Sequence, residues 1–218
     1  MRLITTCLVT LLTVNINIAF AQVDGIAYEW ELKRDKSEIK VFTSPVEGSG
    51  FKAVRAEMLI PASLSSLVAL VSDSEACPTW ADLCKEEKVI EQVSPTESYR
   101  YTYNDIPFPV KDRDVLAHVV WKYDSDAKKV TMTSQATTDR LAKTKAVRIE
   151  NAIAQWHFTE KDNGEVLVEN FAHIDPNGPT PAWVTNLMLV DSPYKTLKRM
   201  RKIIESGKYD NSKIDFLP

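Results

Sequence analysis

The segment from Asp175 to Ile204 constrains the fold more than any other part of the chain. It reads DPNGPTPAWVTNLMLVDSPYKTLKRMRKII, a loop rich in Pro and Gly followed by apolar residues at helical spacing. Apolar side chains lie on more than one side of the predicted helix, so other parts of the protein must cover it. The segment therefore predicts a terminal helix that packs either on a filled core or over an internal cavity.

The strongest apolar seam of this helix recurs at spacings of three and four residues, as expected for one helical face. Pro181 fits the first turn and Thr180 is the predicted N-cap. Pro193 removes a backbone donor, which predicts a kink or a break after Asp191. The kink is either a hinge or a static bend. The seam consists of Trp183, Leu187, Val190, Tyr194 and Leu197.

Composition excludes several classes of protein. The chain has 218 residues, 44% of them hydrophobic, and a formal net charge of −3, which predicts an ordinary globular domain without the basic excess of a nucleic-acid binder. It contains no H-E-x-x-H, G-x-S-x-G, P-loop or G-x-G-x-x-G motif, and its three histidines are scattered. We therefore expect no metal, no cofactor and no catalytic site.

The first 21 residues have the pattern of a secretory signal peptide. Arg2 supplies a positive charge, Leu3 to Phe20 is mostly apolar, and Ala19-Phe20-Ala21 is a cleavage signal. Residues 22–218 then form one domain in the periplasm or outside the cell. The alternative is an N-terminal anchor that is retained.

Two cysteines, Cys77 and Cys84, remain after cleavage. On a straight helix they lie about 10 Å apart, which is too far for a disulfide. Pro78 favours a helix that starts after Cys77, and a compact turn then brings the two sulfur atoms together. The sequence predicts either this disulfide, as favoured in an oxidising compartment, or two free buried thiols.

The remaining patterns predict an α+β fold, because helices are grouped and strands follow one another with tight turns. Predicted helices cover 25–34, 63–71 and 73–83, with Ser63 as a cap. Predicted strands cover 39–44, 51–60, 88–93, 98–104, 115–123, 129–137, 146–159 and 165–174. The Asp105–Asp112 segment, DIPFPVKD, is a shaped loop between strands, and Asp162-Asn163-Gly164 is a hairpin turn.

Four of these patterns, in this order, resemble the START family of lipid-transfer domains. They are WADLCKEEKVIEQV around Trp80, PFPVKDRDVLAHVVW, the Trp156 to Ile174 hairpin that continues into DPNG, and PAWVTNLMLVDSPYKTLKRMRKI. The resemblance covers roughly 25–207. It implies a helix-grip fold, in which a curved antiparallel sheet of nine strands wraps around the long C-terminal helix and leaves a tunnel for one lipid.

The resemblance also implies where the ligand lies. The Asp105–Asp112 loop and the C-terminal helix would form a gate, and Arg113-Asp114 matches a family motif for which the resemblance implies a structural role. From the residues alone, Asp112-Arg113-Asp114 predicts either a site for a charged head group, since a guanidinium binds phosphate or carboxylate at two points, or a loop salt bridge. The region His118 to Trp121 lacks the buried arginine of some animal members, so their ligands do not carry over. The candidate tunnel and gate residues are Trp183, Leu187, Val190, Tyr194, Phe108, Arg113, Tyr101 and Trp156.

We expect the protein to bind a lipid or another hydrophobic molecule, as a monomer that contacts membranes transiently. A stronger form of this prediction is that the protein also transfers the bound molecule. A helix-grip enzyme of the aromatase/cyclase type is an alternative, which requires polar groups that converge in the cavity. An interaction module with a filled core is a third. The cavity of the folded protein distinguishes the three.

Overall fold

The computed structural model describes residues 28–178, 180–181, 184–185 and 187–218. The predicted signal segment, residues 1–21, and Trp183 lie outside these residues. Within them, no helix has the length and apolar character needed to cross a membrane.

A ten-stranded sheet forms the body of the protein. The strands are β1 Glu31–Lys36, β2 Ile39–Ser44, β3 Ala53–Pro61, β4 Cys84–Ser94, β5 Glu97–Asn104, β6 Arg113–Asp124, β7 Lys129–Ala136, β8 Val147–Ile149, β9 Asn151–Glu160 and β10 Glu165–Asp175. Nine of them pair antiparallel in the order β1-β2-β3-β10-β9-β7-β6-β5-β4, and the short β8 pairs parallel with β6.

Helices cover the inner face of this sheet. Helix α1 is Leu64–Ser72, a 3₁₀ turn spans Ser74–Ala76, α2 is Cys77–Trp80, a π-helical turn spans Leu187–Asp191, and α3 is Ser192–Ile204. Ser63 caps α1, since its hydroxyl accepts a hydrogen bond from the backbone N–H of Ser66 at 3.1 Å. Helix α3 packs on β2, β3 and α2, which confirms the predicted α+β helix-grip fold.

Three predicted elements differ from the structure. Glu31–Arg34 belong to strand β1, not to a helix, because their backbone pairs with β2 and the apolar residues alternate with a period of two. The predicted strand 146–159 is interrupted at Glu150, which separates β8 from β9. The predicted helix 73–83 is shorter and ends at Trp80.

Inward-facing side chains form rows across the sheet, because directly paired residues of adjacent strands share a face. One row, which we call the small row, consists of Val54, Ala172, Ala154 and Ser134 on β3, β10, β9 and β7. Four residues further along the same strands runs the large row, Met58, Val168, Phe158 and Val130. The large row is fully buried with Leu197 and Met200 of α3 and forms the centre of the core.

Candidate functional site

An internal cavity of about 290 Å³ lies between the small row and the start of α3. Alanines of β6, β7, β9 and β10 form much of its wall on the sheet side. These short side chains do not reach the helix that covers them, so the space between the two layers stays open. The alanines are Ala117, Ala136, Ala152, Ala154 and Ala172.

The helical wall of the cavity is not the predicted seam. It is formed by Thr185, Met188, Leu189, Ser192, Pro193 and Thr196. Among the predicted residues, Leu187, Val190 and Tyr194 do not line the cavity, and Trp183 lies outside the described residues. Tyr194 is instead buried beside β1 and β2, with its hydroxyl 3.5 Å from the Ser37 hydroxyl and the Arg34 guanidinium over its ring. Of the described seam residues, only Tyr194 and Leu197 are buried in the core, and the side of the helix next to the seam faces the cavity.

A second compartment of about 200 Å³ continues the cavity toward the interior. Trp80 and the predicted residue Trp156 line it, and their rings meet edge to face at 5.7 Å. The two compartments share a neck of six residues, four of which are polar. The neck consists of Asp82, Asn104, Val115, Ala117, Ser134 and Thr196.

A disulfide between Cys77 and Cys84 forms part of this inner wall, with the two Cα atoms 6.0 Å apart. Helix α2 ends at Trp80, and the chain turns back so that β4 begins at the second cysteine. The turn carries Asp82 to α3, where its backbone N–H donates to the Thr196 hydroxyl at 3.0 Å. The covalent link thus holds one polar residue of the neck in place.

A buried ion pair closes the inner end. Arg100 of β5 donates to Glu87 of β4 at 3.0 Å, and also to the Ser98 hydroxyl and to the carbonyls of Val71 and Ser72. Burial raises the pKa of Glu87, although the hydrogen bond and charge of Arg100 oppose this shift. The family resemblance points to β6 for such an arginine, so Arg100 on β5 is not predicted from the sequence. Alternation along β5 groups Arg100 with the polar residues Ser98 and Thr102, opposite three tyrosines, so the sequence pattern does not indicate that this face is buried.

Tyr101 is on the other face of β5, so the prediction that placed it in the tunnel is corrected. Its hydroxyl donates to buried Asp114 at 3.2 Å. Asp114 also accepts hydrogen bonds from Thr144 and from Arg148, whose Nε lies 2.7 Å away. Burial favours a higher pKa for Asp114, but these hydrogen bonds and the Arg148 charge outweigh it and lower the pKa. The aspartate of the Arg-Asp motif is therefore structural.

Arg113, the other residue of that motif, lies at the cavity wall and is buried. Its guanidinium donates to the carbonyls of Lys111, Pro176 and Asn177. It therefore joins the end of the Asp105–Asp112 loop to the segment that leads into the C-terminal helix. These contacts with three carbonyls are neither head-group binding nor a salt bridge, and the salt bridge of the motif is formed by Asp114 with Arg148.

The loop between β5 and β6 has a fixed base and an exposed tip. Asp112 accepts hydrogen bonds from the Ile106 backbone at 3.0 Å and from the Tyr103 hydroxyl at 2.5 Å, and the latter bond raises the pKa of Tyr103 to about 12. Ile106 lines the cavity. Phe108, by contrast, is 93% exposed. An apolar ring is thus presented to solvent beside the cavity.

Comparisons with known proteins agree with this architecture. The START domain family model matches residues 15–208. The chain is 30% identical to a STAR-related lipid transfer protein from Xanthomonas axonopodis of known structure, with a TM-score of 0.73 over 81% of this chain and 98% of that one. It is also 29% identical to an uncharacterized protein of Pseudomonas aeruginosa, over 84% of this chain and 90% of that protein.

Human StAR-related lipid transfer protein 5 shares the fold, with a TM-score of 0.72 at 15% identity over 82% of this chain and 87% of that one. Among the described residues, no group of three or more His, Cys, Asp or Glu side chains is placed to hold a metal ion. The family match spans most of the chain, and the sheet, the terminal helix and the enclosed cavity have the arrangement that it implies. The chain belongs to the START domain family, a family of lipid-transfer proteins.

Proposed function

We propose that this protein binds one lipid or similar hydrophobic molecule in its internal cavity and carries it between membranes. The observation that supports this most directly is the cavity between the small row and α3. Each of its two compartments, of about 290 and 200 Å³, is smaller than the usual ligand pocket of about 300–1,000 Å³, and only the two together reach the lower part of that range. Space of this size argues against an interaction module with a filled core.

The energetic reason for such a carrier is the low solubility of hydrocarbon. Exposing an alkyl chain to water costs about 0.8 kcal/mol for each CH₂ group. A wall of alanines, valines and isoleucines removes the chain from water during transit. The carrier therefore lowers the barrier that a lipid meets when it leaves one membrane for another.

We further propose that the protein works in the periplasm of a bacterium, after removal of residues 1–21. The Cys77–Cys84 disulfide supports an oxidising compartment. The likeness to a Xanthomonas protein supports a bacterial host. Fractionation of cells that express the full chain tests the location, and mass spectrometry of the mature N-terminus tests the cleavage site. An intact N-terminus in the cytoplasmic fraction would contradict the proposal.

Phe108 is the proposed point of membrane contact. Its ring is exposed next to cavity residue Ile106, and neighbouring Lys111 is exposed as well. We expect Phe108→Ala to slow transfer between anionic vesicles without a change in ligand affinity. Leu59→Ala is the matched control, since Leu59 is an exposed apolar residue on the outer face of β3. Equal transfer rates for the two variants would remove Phe108 from the mechanism.

Native mass spectrometry of the protein purified from its own host, followed by lipid extraction, tests the proposed function. The carrier function predicts a bound molecule that is lost on denaturation and replaced by a lipid from a defined panel. A protein that purifies empty and binds no member of the panel would refute the carrier function.

A helix-grip enzyme of the aromatase/cyclase type is the second candidate, and one observation favours it. Glu87, Asp82 and Arg100 all line the inner compartment, and the pKa of Glu87 is raised. Against this, Arg100 already binds Glu87 and two backbone carbonyls. The recovered ligand discriminates the two functions, because a carrier returns it chemically unchanged and an enzyme converts it.

A further inference from the structure

Residues 209–218 form a C-terminal tail that lies beyond the part of the chain matched by the START domain family model, residues 15–208. This tail packs on the body of the protein at two points. The buried Tyr209 donates its hydroxyl hydrogen to Asp73 at 2.7 Å, and the Phe216 ring lies 6.1 Å from the ring of Trp121 on β6. The tail is therefore fixed shortly after α3 and again at Phe216, and it bridges the surface between these points.

A surface groove of about 550 Å³ lies under this bridge. Helix α1, the hairpin of β4 and β5, strand β6 and the tail itself form its walls. Its volume lies within the usual range of about 300–1,000 Å³ for ligand pockets, unlike that of either compartment of the internal cavity. Much of the lining is apolar and consists of Val68, Val89, Pro95, Trp121, Ile214 and Phe216.

Arg100 separates the groove from the internal cavity. Among the described residues, it alone lines both the groove and the inner compartment. Its guanidinium is held between the two by hydrogen bonds to Glu87, to the Ser98 hydroxyl and to two carbonyls at the end of α1. A molecule in the groove therefore lies outside the tunnel of the proposed carrier.

Strand β4 presents apolar side chains to solvent beside the groove. Half of the large apolar side chains that are exposed among the described residues lie here, namely Val89, Ile90 and Val93. A further β-strand is a poor occupant for this edge, because register shifts interrupt the pairing of β4 at three places and the strand carries two lysines. A flexible hydrocarbon chain needs no backbone pairing, so it suits this apolar surface better than a strand does.

Two opposite charges of the tail stand at the groove. Lys213 and Asp215 both line it, both are exposed, and neither forms an ion pair within the described part of the chain. A head group with a phosphate and an ammonium satisfies both charges at once, whereas a head group with one kind of charge meets one attraction and one repulsion. The groove thus combines an apolar lining for a chain with charges that complement a zwitterionic head group.

We propose that this groove is a second lipid site, which binds a zwitterionic phospholipid with a single acyl chain. The chain lies against Trp121 and Phe216, the phosphate faces Lys213 and the ammonium faces Asp215. The site goes beyond the carrier function proposed above, because it lies outside the tunnel and its ligand need not be the molecule that the tunnel carries.

Three probes with the same ω-bromododecyl chain test this assignment at pH 7, below their critical micelle concentrations. Their head groups are phosphocholine, phosphate and trimethylammonium. Bromine quenches the fluorescence of a tryptophan that it contacts, so the quenching that Trp121→Phe abolishes reports the groove. From this part of the signal, we expect the phosphocholine probe to bind about two- to fivefold more tightly than either of the other probes, the effect of one exposed ion pair.

Lys213→Ala tests the charge at the groove. It removes the partner of the phosphate, so we expect the phosphocholine probe to lose its advantage over the trimethylammonium probe. Lys202→Ala is the matched control, since Lys202 is an exposed lysine of α3 that lines neither the groove nor the cavity. In the control, the preference for phosphocholine stays at its wild-type value.

Phe216→Ala tests the apolar wall with Trp121 in place. We expect all three probes to bind the groove about three- to tenfold more weakly, because the contact between the ring and the chain is lost. Phe42→Ala makes the same substitution at another half-buried phenylalanine, on β2, which lines neither the groove nor the cavity. Its affinities therefore stay at the wild-type values.

The outcomes separate this site from the carrier function. Equal affinities of the three probes at the groove overturn the zwitterion assignment. The absence of any quenching that depends on Trp121 overturns the groove as a lipid site, as does Phe216→Ala with unchanged affinities. Quenching that persists in Trp121→Phe reports Trp80 and Trp156 in the inner compartment, and its absence counts against the carrier function alone. Thermal unfolding of each variant confirms that it is folded.

Discussion

The small row and the large row run across the same four strands and serve opposite purposes. Strand β9 shows the difference on a single stretch of chain, because its inward residues pass from Ala152 and Ala154 to Trp156 and Phe158. The alanines leave space beneath α3, and the aromatic rings fill it. The lesson is that side-chain size along the inner face of these strands decides where the cavity lies.

The same division continues in the terminal helix. Ser192, Pro193 and Thr196 at the start of α3 face the cavity, whereas Leu197, Met200 and Ile204 toward its end are buried in the core. Stability is therefore concentrated at one end of the sheet–helix sandwich and ligand binding at the other. Substitutions that change the size of one residue in either row test this separation.

Phe158→Ala is expected to have the largest effect, because Phe158 is fully buried at the centre of the large row. Removing the ring leaves a void that the surrounding strands fill only in part, which lowers the free energy of unfolding by about 3–5 kcal/mol. Guanidinium denaturation with the disulfide intact measures the change. Phe108→Ala, at an exposed site, is the control. A loss below about 1 kcal/mol would show that the large row is also loosely packed.

Ala154→Leu tests the small row. The added atoms enter the cavity, so we expect the affinity for an alkyl ligand to fall about tenfold or more through lost apolar contact, while the unfolding free energy changes little. Ala56→Leu makes the same substitution at a fully buried alanine of β3 that lies outside the cavity. There the larger side chain overpacks the core and destabilises it by about 1–3 kcal/mol. Equal destabilisation at both alanines would contradict an open cavity at the small row.

The two rows also explain which features sequence reasoning predicted. Strand alternation, the Ser63 cap and the hairpin turn at Asp162-Asn163-Gly164 depend on local chemistry, and the structure has all of them. The cavity lining depends on which apolar residues are small. Helical periodicity alone does not distinguish small from large apolar residues, so it predicts the bulkiest seam of the helix for the tunnel, although bulky residues are those that fill space.

Arg100 illustrates a second limit. An isolated arginine in a tyrosine-rich strand gives no indication of burial, because its partner Glu87 is on another strand and its carbonyl partners are at the end of α1. Such long-range pairing appears only once the strands are in register. Trp183 lies outside the described residues, so its place in the tunnel stays a prediction.

His157 offers a smaller, pH-dependent test, because it lies on the outer face of β9 between the inward Trp156 and Phe158. Burial and the charge of Lys129 lower its pKa from 6.5 to about 4. The folded protein therefore binds fewer protons than the unfolded chain, and stability is lost as the pH falls from about 6.5 toward 4. Its register partner on β10 is Glu169, and its Nδ1 contacts the Thr131 hydroxyl at 3.1 Å.

Denaturation midpoints between pH 7 and pH 4.5 measure this effect, and His157→Gln is expected to flatten the profile in that range. Ligand affinity should not follow the stability, because the imidazole faces away from both compartments. If the wild-type protein lost ligand affinity together with stability as the pH falls, and His157→Gln did not, the outer face of β9 would control the cavity.

Pro193→Ala is expected to have the smallest effect, although the proline lies at the cavity wall. Proline has no N–H for the carbonyl one turn earlier, and the π-helical turn Leu187–Asp191 accommodates the missing bond just before α3 begins. Arg34 of β1 holds the end of this turn through Asp191 at 2.6 Å. These contacts favour a static bend over a hinge, so the rate of lipid transfer between vesicles should change by less than about twofold.

Asp191→Asn, which weakens the link to β1, should accelerate transfer more than Pro193→Ala does. A Pro193→Ala variant that transfers lipid far more slowly, with unchanged affinity, would establish instead that the helix above the small row opens at this residue.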